Sequence, residues 1–196
     1  MELIAPQKCL LCGERDQLLC GHCLPALTPS IQTVSGFPLH IAVSRRDFAQ
    51  VVVVWKDQRT KKLTDDLATL AVAALPLDMR GVIAPIPSRK GSLIRRGWEP
   101  VLTLAIQISE RSNWEVCPGL FRWKREPDEQ RLLSDAQRRL NVENRIDCSH
   151  TPSQPVWIVD DVMTTGSSLL AAARALENQG GQVAGFLVLT APRRTC

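Results

Sequence analysis

Val156-Trp157-Ile158-Val159-Asp160-Asp161-Val162-Met163-Thr164-Thr165-Gly166-Ser167-Ser168 decides the fold of this 196-residue chain. Four apolar residues run into two adjacent carboxylates, a turn of small hydroxylated residues with one glycine follows, and a helical pattern begins at Ser168. The reading is a buried parallel strand that turns sharply into a helix N-terminus. The amides of such a turn and the positive end of the helix dipole suit a phosphate. Two carboxylates can accept hydrogen bonds from the vicinal hydroxyls of a sugar. The segment therefore offers both halves of a grip on a phosphorylated pentose. A plain strand-to-helix cap accounts for one acid and one hydroxyl. It does not account for two acids and four small polar residues in succession.

Outward from this stretch, strands and helices alternate. Ser168 to Gln179 reads as a helix ended by Gly180-Gly181, and Gln182 to Thr190 as a closing strand. Upstream, Gly81 to Pro87 is a short apolar run bounded by Gly and Pro, hence a buried strand. Thr60 to Leu75 and Glu99 to Ser109 show helical faces, and Trp114 to Trp123 supplies one or two short strands. Ser134-Asp135-Ala136-Gln137 fits a capping box that opens a short helix. Phe48 to Trp55 is β-branched enough for a strand, yet a helix also fits. Pro25 to Pro38, rich in Pro, Ser and Thr, reads as a linker. The alternation predicts an α/β fold, a mainly parallel sheet flanked by helices. Ligands then bind at the carboxyl ends of the strands.

Four cysteines fall close together near the start: Cys9, Cys12, Cys20 and Cys23, as C-x2-C-x7-C-x2-C. Each C-x2-C pair can place two thiolates on one metal, and two pairs complete a tetrahedron. With every position filled by protein, a structural Zn2+ site is expected. So small a segment would draw its stability from the metal. Gly13 and Gly21 sit where tight knuckle turns often need positive φ. His22 is read as a bystander, and Cys117, Cys148 and Cys196 as buried or inert thiols. The division expected is 1–36 for zinc knuckle and linker, and 37–196 for the α/β domain.

Apolar residues make up 44% and charged residues 22% of the chain, enough for a real core. The net charge of +4 is compatible with a phosphate-rich ligand but too small to argue for nucleic acid. No apolar stretch is long enough to span a membrane, and the start lacks the pattern of a signal peptide. The expectation is a cytoplasmic protein, whose cysteines serve metal rather than disulfides. Basic residues concentrate in two places. Arg89, Lys90, Arg95 and Arg96 place four cations within eight residues, suited to a ligand bearing several phosphate charges. Arg122 to Arg145 mixes seven basic with five acidic residues, as a solvated segment does. The five tryptophans (Trp55, Trp98, Trp114, Trp123 and Trp157) could stack on single-stranded DNA, but most read as core.

The 156–168 stretch resembles the phosphoribosyl-pyrophosphate (PRPP) signature of type I phosphoribosyltransferases. That resemblance implies that Asp160 and Asp161 take the ribose hydroxyls, while Met163, Thr164, Thr165, Gly166, Ser167 and Ser168 take the 5′-phosphate. It further implies Ser88, Arg89 and Lys90, after Pro85-Ile86-Pro87, as pyrophosphate contacts. PRPP would arrive with Mg2+, and Lys124, Arg125 and Arg131 would belong to a closing hood. Over nearly the whole chain the order of motifs resembles the ComF/GntX family. The order is a four-cysteine knuckle, Trp55-Lys56-Asp57, Pro85-Ile86-Pro87 with Arg95-Arg96-Gly97-Trp98, Gln130-Arg131-Leu132-Leu133-Ser134, and the signature. This family is linked to the use of imported DNA, which implies protein partners in DNA uptake. The chain departs from it at Asp57, where the family tends to carry Gly, and at Glu99-Pro100, where it tends to carry Asn-Gln. The second change removes amide donors near the expected pyrophosphate contacts. The resemblance implies phosphoribosyl transfer to an unidentified acceptor. The alternative is a non-catalytic adaptor that senses PRPP or a nucleotide and meets protein or DNA through its knuckle.

Overall fold

The computed structural model describes residues 8–15, 17–45, 47–58, 60–76, 81–124 and 145–191. After a 3-10 turn at Leu24–Ala26, Ser30–Val34 (β1) and Phe37–Ile41 (β2) form an antiparallel hairpin. Its two turn residues, Ser35 and Gly36, have φ of 50° and 88°. That is the left-handed two-residue turn whose twist matches paired strands. The segment expected as a linker is therefore largely sheet. Its Pro and Ser content masked a Ser-Gly turn flanked by a strand with exposed Ile31 and Thr33 and buried Val34.

Phe48–Gln58 forms helix α1 and Lys61–Ala74 helix α2. Phe48, Val51, Val52 and Trp55 stand at i, i+3, i+4 and i+7 and form one buried stripe. Burial of that stripe overrides the β propensity of the valine run. Trp55 donates its indole N–H to Thr64 Oγ1 at 2.9 Å and ties the two helices. Next come Val82–Pro85 (β3), Lys90–Arg96 (α3), Pro100–Arg111 (α4), Glu115–Val116 (β4) and Phe121–Trp123 (β5). Ile146–Cys148 (β6), Val156–Val162 (β7), Ser167–Asn178 (α5) and Val183–Thr190 (β8) complete the chain. Helix α3 carries the four clustered cations Arg89, Lys90, Arg95 and Arg96 at its start and in its last turn.

Six strands form one sheet in the order β1-β2-β8-β7-β3-β4, and β5-β6 make a separate antiparallel pair. Only β1-β2 runs antiparallel within the large sheet; the other pairs are parallel. The mainly parallel sheet expected from the alternation is what the structure contains. Successive strand residues face opposite ways, so β7 feeds two cores. Trp157 and Val159 pack with Trp55, Leu63, Leu67 and Leu104 of α1, α2 and α4. Val156 and Ile158 pack with Leu169 and Leu176 of α5 and with Phe121 and Ile146 of the β5-β6 pair. Gly185 on β8 lies opposite Trp157, where the β7-β8 register shifts. A Cβ there would stand 2.8 Å from both the Pro38 carbonyl oxygen and the Trp157 ring.

Candidate functional site

An open cleft lies where β7 gives way to α5. Asp160, Val162, Met163, Thr164, Thr165, Gly166, Ser167, Ser168 and Leu169 line it. Gly166 caps α5 with φ of 80°, a conformation that costs an L-residue roughly 1–2 kcal/mol. The turn can therefore bend sharply into the helix. Thr165 Oγ1 accepts the Ser167 N–H at 3.4 Å and donates to Ser167 Oγ at 3.1 Å. Thr164 and Thr165 are exposed, and Ser167 and Ser168 half-buried. Met163 differs from its neighbours. Its side chain is buried and its N–H donates to the Thr190 carbonyl at 3.1 Å. The amides left to meet an anion are those beyond it, at the first turn of α5, which have no partner within the helix.

The two aspartates diverge. Strand β7 continues through Val162, so its pleat sends adjacent side chains to opposite faces. Asp160 faces the cleft with α5. Asp161, on the other face, is buried and pairs through Oδ2 with Lys56 Nζ of α1 at 2.5 Å. Its Oδ1 accepts the Val162 N–H at 2.6 Å. Asp160 Oδ1 accepts the Asp161 N–H at 2.8 Å. Burial, joined by the negative charge of Asp161, raises the Asp160 carboxyl from its ordinary value to about 7. That amide and the Lys56 charge only partly offset the rise. The sequence offered Lys56 only as part of the Trp55-Lys56-Asp57 motif. Its place beside the acids comes from the folding of α1 against β7.

The second anion candidate leaves β3 next door. Pro85 pairs with Val159, and Ile86 donates its N–H to the Val159 carbonyl at 2.8 Å. The exits of β3 and β7 thus emerge side by side. Ser88 is half-buried, while Arg89 and Lys90 are exposed at the start of α3. The Ser88 N–H donates to Glu99 Oε1 at 3.3 Å. Trp123 donates its indole N–H to the Pro87 carbonyl at 2.7 Å, and the Arg89 guanidinium lies 4.7 Å above the Trp123 ring.

At the other end of the chain the sulfurs of Cys9, Cys12, Cys20 and Cys23 all lie within 4.8 Å of one another. Cys12 and Cys20 approach to 3.6 Å, close to the roughly 3.8 Å edge of a tetrahedron with 2.3 Å metal–sulfur bonds. The cluster can hold a metal ion. Burial disfavours the Cys9 thiolate, but amides of Cys20, Leu11 and Cys12 outweigh it and lower this thiol to about 6. Cys23, crowded by Cys12 and the other sulfurs, rises to about 12. A cation shared by the four sulfurs would hold all of them as thiolates. Gly13 has the positive φ expected of a knuckle turn, at 79°; Gly21 does not. His22 turns to Glu14 Oε2 at 3.3 Å on the exposed side.

Trp55, Trp98, Trp114 and Trp157 are buried, as the core reading requires, and Trp123 is half-buried. Among the described residues no helix is long and apolar enough to cross a membrane. Lys124 pairs with Asp147 at 3.1 Å. The other expected hood residues, Arg125 and Arg131, lie outside the described residues, as do the capping box at 134–137, the Gln130–Ser134 motif and Cys196.

Residues 132–195 match the family described as "Phosphoribosyl transferase domain". No curated protein matches the sequence. Among solved structures, an adenine phosphoribosyltransferase from Thermoanaerobacter pseudethanolicus aligns at 19% identity over 68% of this chain and 72% of its own, with a TM-score of 0.44. The adenine phosphoribosyltransferase from Leishmania donovani aligns at 11% identity over 83% and 75%, also at 0.44. An orotate phosphoribosyltransferase from Aeropyrum pernix aligns at 20% identity over 86% and 77%, at 0.35. The domain match and the helix-flanked parallel sheet together make this a phosphoribosyltransferase-like fold.

Proposed function

We propose that this chain binds 5-phosphoribosyl compounds, with the 5′-phosphate at the N-terminus of α5 and the ribose hydroxyls on Asp160. The observation that carries the reading is the cleft itself. It brings a carboxylate and the turn Thr164–Ser168 together at the carboxyl end of a central strand, inside the segment that matches a phosphoribosyl transferase domain. Asp161, paired with Lys56, steadies the strand end. Mg2+ accompanying PRPP suits the donor set, because Asp160 is a carboxylate oxygen donor held beside a like charge. Zn2+ suits the four thiolates, in a structural role.

As an enzyme the protein would move the 5-phosphoribosyl group from PRPP to an acceptor and release pyrophosphate. As an adaptor it would bind the ligand without turnover. The contact of Glu99 with the Ser88 amide favours the adaptor, since it fills the amide a leaving pyrophosphate would use. The ordered ComF/GntX-like motifs support a place in the use of imported DNA, with a protein partner at the knuckle. Titration calorimetry tests the core of the reading. Ribose 5-phosphate binds the wild type, and Asp160→Asn weakens it by about tenfold, the worth of one charge-assisted hydrogen bond. Equal affinity in the two proteins refutes the site. Pyrophosphate release from PRPP in the presence of bases or ammonia separates enzyme from adaptor.

A further inference from the structure

The exit of β3 carries its own anion. Glu99 Oε1 accepts the Ser88 N–H at 3.3 Å, and the backbone that carries this carboxylate is anchored. Its neighbours Trp98 and Pro100 are both buried. Trp98 donates its indole N–H to the Lys56 carbonyl at 3.1 Å. The Glu99 carbonyl is fixed by Thr103, which donates both its N–H, at 3.0 Å, and its hydroxyl, at 2.9 Å. The loop is held from its other side by the bond of Trp123 to Pro87. A carboxylate on an anchored backbone therefore stands at the loop beside the cleft and occupies the Ser88 amide. A diphosphate placed there loses a donor and meets a like charge, which disfavours it relative to a ligand with a single anionic end.

Resting on the phosphoribosyl-binding reading, we infer that Glu99 is a specificity-determining residue. It turns the β3 exit loop against a pyrophosphate on C1, so that the site takes pentose 5-phosphates without a charged C1 substituent in preference to PRPP. The recognition is a difference of affinities created by a repulsive element. The 5′-phosphate grip at α5 is untouched, while at the neighbouring exit the Glu99 charge offsets part of what Arg89 and Lys90 offer a second anion. Gln at position 99 would keep the acceptor oxygen for Ser88 and remove the charge.

The experiment is calorimetric titration of wild type and Glu99→Gln with ribose 5-phosphate and with PRPP, at equal Mg2+. In the wild type, ribose 5-phosphate binds at least as tightly as PRPP. In Glu99→Gln, PRPP affinity rises about tenfold and ribose 5-phosphate stays within about twofold. Unchanged thermal melting of the variant shows that its fold is intact. The inference is overturned if wild type prefers PRPP by about tenfold or more, or if the variant leaves the ratio of the two affinities unchanged. Those results leave the phosphoribosyl-binding reading standing. If neither ligand binds the wild type, that reading fails, and the inference falls with it.

Discussion

Asp160 and Asp161 are neighbours in sequence but serve different faces of one strand. The acid pair and its turn were legible in the sequence, because few other arrangements place two carboxylates and four small polar residues between a strand and a helix. Their division was not, since it depends on β7 continuing through Val162 and on Lys56 arriving from α1. The division has a pH signature. The Asp160 carboxyl is raised to about 7 in the folded protein, against roughly 3.9 in an unfolded chain. A raised carboxyl favours the protonated folded state. Its contribution is fully present below the unfolded value and is lost as pH rises through about 7. Thermal melting from pH 4 to pH 8 should show wild-type stability falling through this window relative to Asp160→Asn. A pH-independent difference between the two proteins would contradict the burial. If Asp160 takes ribose hydroxyls as proposed, their binding, which needs the ionised acid, should strengthen over the same range.

Elements were legible where periodicity was strong. Helices α2 and α5 and the strands β3, β7 and β8 follow from their patterns, with ends shifted by a residue or two. Helix α1 was ambiguous because four consecutive valines suit a strand, and only the stripe from Phe48 to Trp55 resolves it. The β1-β2 hairpin was hidden by linker-like composition, and α3 by its charge. The close approach of three strands at Gly185 was also out of reach, since it depends on the register shift beside Trp157. Gly185→Ala places a Cβ against Pro38 backbone and the Trp157 ring. It should destabilise the protein by about 1–3 kcal/mol, as overpacking does. Chemical denaturation measures this, and a variant as stable as wild type would show that β2 yields easily.

At the scale of the whole molecule, the cysteine knuckle is bound into the main core rather than tethered beside it. Leu19 is fully buried in the cluster around α1, α2 and α4, and Leu10, Leu11, Leu18 and Leu24 pack against that cluster. The spacing of the cysteines announced a cluster able to hold a metal; nothing in it announced the packing of the leucines around them. Metal loss should therefore be felt beyond the knuckle. Removing the ion with a chelator should lower the melting temperature of the whole protein by roughly 4–8 °C, equivalent to about 2 kcal/mol at this size. An unchanged melt after metal is shown to have left would disconnect knuckle from core. The sheet order carries a consequence for synthesis. Strand β8 runs between β2 and β7, so during synthesis the hairpin waits for a strand far downstream of it before it gains its parallel partner. Until then the nascent chain presents two open strand edges, the state in which a chaperone's grip matters most.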